Sequence, residues 1–299
     1  MDVVEIPVEQ LEVALPAGNQ IGEGPIWDDR EDVLWWVDIV PCQVHRWDPA
    51  SGNHVTFDAG EMVGAIALRE SGPELVLAVQ SGFALLDPRS GGVRPLVGVE
   101  ADLPGNRMND GYCDARGRFW AGTMSVDESL SPRGSLYRLD PDLRVTRMLD
   151  GIGISNGIDW TLDGKTMYYV DTATPYLEAF DFDLEAGTIA NRRVVATIPA
   201  DLGSPDGMVL DGEDCPWVAI WGGGQVRRYR PDGTLDRVVH VDVRRVTKVA
   251  FGGPDLDEMY ITTAWIGAGE AERREQPRAG HIFRCRPGVR GRRPHRFAG

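Results

Sequence analysis

The chain has 299 residues, 42% of them hydrophobic and 26% charged, which is the composition of a folded protein. Its formal net charge of −15 repels nucleic acid phosphates and anionic lipid, so neither is an expected partner. Cys42, Cys113, Cys215 and Cys285 lie far apart with no CxxC pair and no Cys/His metal spacing, which reads as free thiols in a reducing compartment.

Residues 3–13 form a strand-like segment, and the run MDVVEIPVEQLEV has acids where a secretory leader needs a basic stretch and an apolar core. No apolar run approaches the roughly 20 residues of a membrane span, so a cytoplasmic protein is expected. A three-part unit then begins. Its first copy reads Glu23-Gly24-Pro25-Ile26-Trp27, then an apolar strand from Leu34 to Asp38, then Val44 to Trp47 closed by Asp48-Pro49. The second copy runs Val63-Gly64-Ala65, Leu75 to Val79, and Phe83 to Pro88. The third runs Asp110-Gly111-Tyr112, Phe119 to Thr123, and Leu136 to Pro141. The fourth has Asn156-Gly157-Ile158, Met167 to Asp171, and Leu177 to Asp183. The fifth has Asp206-Gly207-Met208, Trp217 to Trp221, and Val226 to Pro231. The sixth has Lys248 to Phe251, Met259 to Thr263, and Ile282 to Pro287.

Successive apolar strands are spaced by roughly 41 to 50 residues, the period of four-stranded propeller blades. Turns such as Leu162-Asp163-Gly164-Lys165 are tight hairpin signals, and no helical periodicity of useful length interrupts the strands. A blade cannot bury both faces alone, so six units must pack radially around a channel. The expectation is an all-β, six-bladed β-propeller of one domain over residues 1–299. Within it residues 3–13 pair with the last blade to close the ring, and the basic residues 287–299 form a flexible tail.

In such a ring the innermost strands open at the channel mouth, and their equivalent positions converge. Those positions hold Glu23, Val63, Asp110 (with Asn109 before it), Asn156, Asp206 and Lys248. Positions so buried are usually apolar, and facing carboxylates repel unless a cation compensates. A hard divalent ion with oxygen ligands meets that need. Glu23 and Asp206 would neutralise its charge, Asn156 would add a neutral oxygen, and the open coordination positions suit Lewis-acid hydrolysis. Glu-Gly and Asn-Gly taken singly are ordinary turn signals, and it is their phase within the repeat that singles these out. Trp36, Trp120, Trp221 and Trp265 read as blade packing, and the five histidines show no triad or zinc spacing.

These stretches resemble the SMP-30/gluconolactonase/regucalcin family over nearly the whole chain. The matching runs are residues 21–27, Asn106-Arg107-Met108-Asn109-Asp110-Gly111, residues 117–124, Ser155-Asn156-Gly157, Pro205-Asp206-Gly207 and residues 251–256. The resemblance implies a metal-dependent lactonase. In it Glu23, Asn156 and Asp206 match metal ligands, and Arg107, Asn109 and Asp127 match substrate-binding positions. Lys248-Val249 departs from the Ser-Cys that many members carry there.

The reaction expected on this reading is opening of an aldonolactone, such as glucono- or xylonolactone, to its acid. One divalent ion (Ca²⁺, Zn²⁺, Mn²⁺, Mg²⁺ or Fe²⁺) would be the Lewis acid and Asp206 the general base. A related propeller esterase or phosphotriesterase, and a non-catalytic calcium-binding propeller, are the rival readings. The expected partner is a small sugar lactone, and the expected assembly a monomer or weak homo-oligomer.

Overall fold

Six sheets, each an antiparallel meander, follow one another around a central axis in a six-bladed β-propeller. The computed structural model describes residues 3–299, apart from the side chain of Glu128; Met1 and Asp2 of the expected 1–299 unit lie outside the described residues. Blade one is Gly22–Asp28, Val33–Asp38, Gln43–Trp47 and His54–Asp58, from the axis outward. The innermost strands of blades two to six are Val63–Leu68, Asn106–Cys113, Ser155–Trp160, Ser204–Leu210 and Val246–Gly252.

Burial falls from the axis outward. Gly22–Asp28 and Val33–Asp38 are buried throughout, whereas His54–Asp58 alternates between exposed and half-buried positions. The second strands of the blades are covered by a neighbouring blade on each face, which is why the sequence shows them as continuous apolar runs. Most apolar clusters lie between blades. Ile26, Trp35, Val63 and Leu77 join blades one and two; Trp120, Trp160 and Phe182 join three and four; Trp217, Val249 and Phe251 join five and six.

Ring closure differs in detail from the sequence expectation. The segment of residues 3–13 divides: Val4–Ile6 pairs in parallel with Leu235–His240 on the outside of blade five. The strand that completes blade six is Glu12–Leu15, antiparallel to Ile282–Cys285. A turn of 3₁₀ helix at Val8–Gln10 carries the chain from one blade to the next.

Residues 287–299 are not a flexible tail. They lie across the end of the channel where the inner strands turn into the second strands, and they touch every blade. Gly212 donates its N–H to Arg290 O and Gly291 donates to Leu256 O, at 2.9 and 2.7 Å, tying down blades five and six. Arg292 reaches the fully buried Asp159 of blade four at 2.7 Å, and Arg296 reaches Asp28 and Asp29 of blade one at 2.6 and 2.7 Å. Phe297 exchanges backbone hydrogen bonds with Leu68 and Glu70 of blade two, and Ala298 donates to Gly117 O of blade three. Arginines that read as a solvated charge run are counter-ions to acids at the hairpin turns, and the apolar Phe297 is 1% exposed.

Candidate metal centre

The site lies at the opposite end of the channel, where the inner strands begin. Two acids fix how the chain enters it. Asp38, the last residue of the second strand of blade one, accepts hydrogen bonds from the N–H groups of Gln20 and Ile21, both at 2.9 Å. Asp171 holds Gly153 and Ile154 in the same way in blade four, at 2.9 and 2.8 Å. Glu23 and Asn156 each follow two residues after an N–H so held. The apolar strands that end in Asp therefore bracket the site.

Each inner strand then slips register against its partner. The slips fall at Glu23/Ile26, Val63/Ala65, Met108/Gly111, Ser155/Ile158, Pro205/Met208 and Val246/Lys248. A bulge of this kind re-aims a side chain, here toward the axis. The glycines beside the expected ligands serve close packing rather than a hairpin turn. A Cβ on Gly157 would lie 2.5 Å from Met208 Cβ, and one on Gly207 would lie 2.5 Å from Lys248 Cβ and 2.7 Å from Thr247 O. Only glycine lets successive inner strands approach this closely.

Glu23, Arg107, Asn109, Asn156 and Asp206 line one cavity of about 840 Å³ at the mouth. The sixth expected residue, Asp127, is not part of it. Asp127 is exposed, and its carboxylate is tied to Ser129 of its own turn, accepting from the N–H at 3.0 Å and the hydroxyl at 2.6 Å. Its short side chain caps a local turn instead of reaching the cavity.

The bulges also revise the expected channel lining. Asn109, not Asp110, occupies the place equivalent to Asn156 and Asp206. Asp110 and Lys248 lie deeper and form a buried ion pair across the channel, at 1% and 2% exposure. Val63 closes into the core between blades one and two. Trp36 and Trp120 are fully buried, as blade packing requires, but Trp221 lines the cavity with the Arg245 guanidinium 5.9 Å from its ring centre. Sequence reasoning missed Arg245 and Thr172 because they come from loop and strand-end positions outside the repeat.

The electrostatics point one way. Burial, and then the Asp110 charge, push the Glu23 carboxyl up to about 8. Asp206 is pushed well above the usual carboxylate range by burial, then by the Glu23 and Asp110 charges. Glu23 Oε2 accepts only the Gly24 N–H at 2.7 Å among the hydrogen bonds described. Asn156 Nδ2 donates to Asp206 Oδ1 and, at 2.9 Å, to Thr172 Oγ1. That leaves Asn156 Oδ1 buried and without a hydrogen-bond partner. Arg107 donates to Asn109 Oδ1 at 2.7 Å and Met108 O at 2.9 Å, and Asn109 Nδ2 donates to Ser155 O at 2.8 Å.

A divalent cation fits this set. Two desolvated carboxylates and an orphaned amide oxygen share one cavity, and all three are hard oxygen donors. Among the described residues no three His, Cys, Asp or Glu side chains converge on a cation. Any cation here would therefore rest on the mixed set of two carboxylates and one amide, with its other positions open.

Fold and cavity together define a six-bladed propeller with an acidic, oxygen-lined centre at one end of its channel. The chain belongs to the SMP-30/Gluconolactonase/LRE-like family, whose model matches residues 21–265. Regucalcin of Xenopus laevis is 39% identical over 298 residues, covering 97% of this chain and 99% of that one. The crystal structure of a calcium-binding protein, regucalcin, from Agrobacterium tumefaciens superposes with a TM-score of 0.95 at 30% identity over the whole of both chains. A gluconolactonase from Xanthomonas campestris shares the fold, with a TM-score of 0.73 at 23% identity over 92% of this chain and 88% of that one. No helix among the described residues is long and apolar enough to cross a membrane.

Proposed function

We propose that the protein is a metal-dependent hydrolase that opens a lactone ring to the hydroxy acid, the aldonolactones being the sugar members of that class. The observation that carries the reading is the unpartnered Asn156 Oδ1 beside two carboxylates driven toward neutrality by burial. Glu23, Asn156 and Asp206 would hold the cation. A bound divalent cation supplies Lewis acidity toward a carbonyl oxygen.

The chain's own residues would do the rest. Asp206 uses Oδ1 to accept from Asn156, so its other carboxylate oxygen is the one to take a proton from the attacking water. Asn156 is held by Thr172 and in turn holds Asp206, which fixes the angle of that oxygen. Arg107 and Asn109 are mutually hydrogen-bonded on the same wall and would orient the lactone so that its carbonyl carbon faces the water.

The names of the relatives favour a second reading, in which the cation is bound for its own sake, because regucalcin is described as a calcium-binding protein. One experiment separates the two. Lactone hydrolysis is followed after chelation and after re-addition of Ca²⁺, Mg²⁺, Mn²⁺ or Zn²⁺, for the native chain and for Asp206→Asn. A hydrolase loses its rate on chelation, regains it with at least one ion, and loses it by about 10²-fold or more in the variant with the fold intact. A calcium-binding propeller hydrolyses no lactone under any of these conditions.

A further inference from the structure

The walls of the cavity differ in chemistry from its floor. The polar groups Glu23, Asn156, Asp206, Arg107 and Asn109 gather where the inner strands begin. Above them stand Ile21, Ile39, Met124, Ile154, Trp221 and Ile266, drawn from blades one, three, four and five and from the loop after the second strand of blade six.

We propose that the substrate is a lactone carrying an apolar substituent, which this collar surrounds while the ester group meets the polar floor. The proposal rests on the lactonase reading and narrows it.

Two observations carry the inference. A polyhydroxylated ring must find a partner for each hydroxyl it buries, and each one left unpaired weakens binding. The acid expected to serve those hydroxyls, Asp127, faces away and is occupied by Ser129. The other polar groups on the wall are largely committed. Thr172 Oγ1 accepts from Asn156, and Arg245 holds Glu272 at 2.6 Å and stacks on Trp221. Beside them are the small hydroxyls of Ser131 and Ser204, and Arg107 and Asn109 are hydrogen-bonded to each other. The second observation is size. A cavity of about 840 Å³ is near the upper end of the range for sites that bury a drug-sized ligand, and a bare sugar lactone would leave the collar wet.

Each methylene that enters the collar should raise kcat/KM by about fourfold, from the transfer of hydrocarbon out of water. The test compares three six-membered lactones on the metal-reloaded protein: one unsubstituted, one with a pentyl chain, and one hydroxylated at every free ring carbon. The pentyl compound is expected to exceed each of the others in kcat/KM by about tenfold if two of its carbons enter the collar and by up to about 10³-fold if all five do. In Trp221→Ser and Ile266→Ser the ratio of pentyl to unsubstituted lactone should fall toward one, and a ratio is independent of how much of the variant folds. A hydroxylated lactone turned over as well as the pentyl one overturns the inference and leaves the lactonase reading standing. Failure to hydrolyse any of the three with any cation overturns both.

Discussion

Removing divalent cations should make the folded protein lose stability as pH rises, the reverse of what paired surface carboxylates do. The cause is Glu23, whose ordinary value of 4.5 is pushed up to about 8 by burial and by the Asp110 charge. In the unfolded chain Glu23 ionises at its ordinary value, whereas the cation-free fold keeps the proton until about 8. Stability from this group is therefore fully present below 4.5 and is lost as pH climbs through 8. At about 1.4 kcal/mol per pH unit, the displacement amounts to about 5 kcal/mol at most. Asp206 is raised for the same reason and pushes in the same direction. A bound divalent cation favours both ionised forms, so its affinity should increase with pH up to about 8 and its binding at neutral pH should expel protons. Urea unfolding with chelator and with saturating Ca²⁺, at several pH values between about 5 and 8, gives two curves whose difference isolates the site. Calorimetry in buffers of different ionisation enthalpy counts the protons released. Parallel curves with no proton release would refute the reasoning, because the carboxylates would then be neither desolvated nor shared by a cation.

Phe297→Ala should destabilise the protein by about 3–5 kcal/mol in urea with little change in slope, as for a large side chain lost from a core; a cost below about 1 kcal/mol would mean that the C-terminal segment across the channel is frayed in solution. Arg292→Met should cost about 3 kcal/mol by the same measurement, since it leaves the fully buried Asp159 with backbone donors but no counter-charge. On the acid side, burial and then the His54 charge lower His45 from 6.5 to about 4. The stability it contributes is present above 6.5 and falls away as pH drops through 4, about 3 kcal/mol at most, and His45→Gln should flatten that limb of the pH curve.

The blades were legible because their signal repeats. One Asn-Gly is a turn, but Asn156-Gly157 and Asp206-Gly207 at the same phase of a repeating unit mark one ring of positions, and the structure brings Glu23, Asn156 and Asp206 to one cavity. What the pattern could not carry was the register within that ring. Asp110-Gly111 looks like Asp206-Gly207 in sequence, yet the bulge opens after Met108 in one strand and after Pro205 in the other. That difference of one residue puts Asn109 at the mouth and sends Asp110 down to Lys248. Asp127 failed for another reason. Its turn lies outside the repeat, and a hydroxyl two residues away competed successfully for its carboxylate. The C-terminal arginines failed because their partners, Asp28, Asp29 and Asp159, are acids of distant hairpins whose burial no local window reveals.

Followed along the axis, the channel explains why those C-terminal contacts matter to the site. Beneath the cavity lies the Asp110–Lys248 pair, and the Lys248 ammonium stands 5.8 Å from the ring centre of Tyr112. Beneath Tyr112 lie Pro294 and Arg292, and the void between them and Lys248 is about 10 Å³, room for about one water. The channel is therefore closed at one end, and anything bound at the cation cavity enters and leaves by the same mouth. Closure also sets the charge. Lys248 neutralises one of the three buried carboxylates, which leaves Glu23 and Asp206 as the two negative charges that a single divalent ion would balance. Arg107 adds a positive charge beside Asn109 in the same cavity, where the carboxylate of a ring-opened product would meet it. If water entered from the closed end it would solvate Lys248 and Asp110 and weaken their hold on one another. The segment that seals the far end of the propeller thus helps to keep Lys248 paired with Asp110 beneath the cavity that Glu23 and Asp206 line.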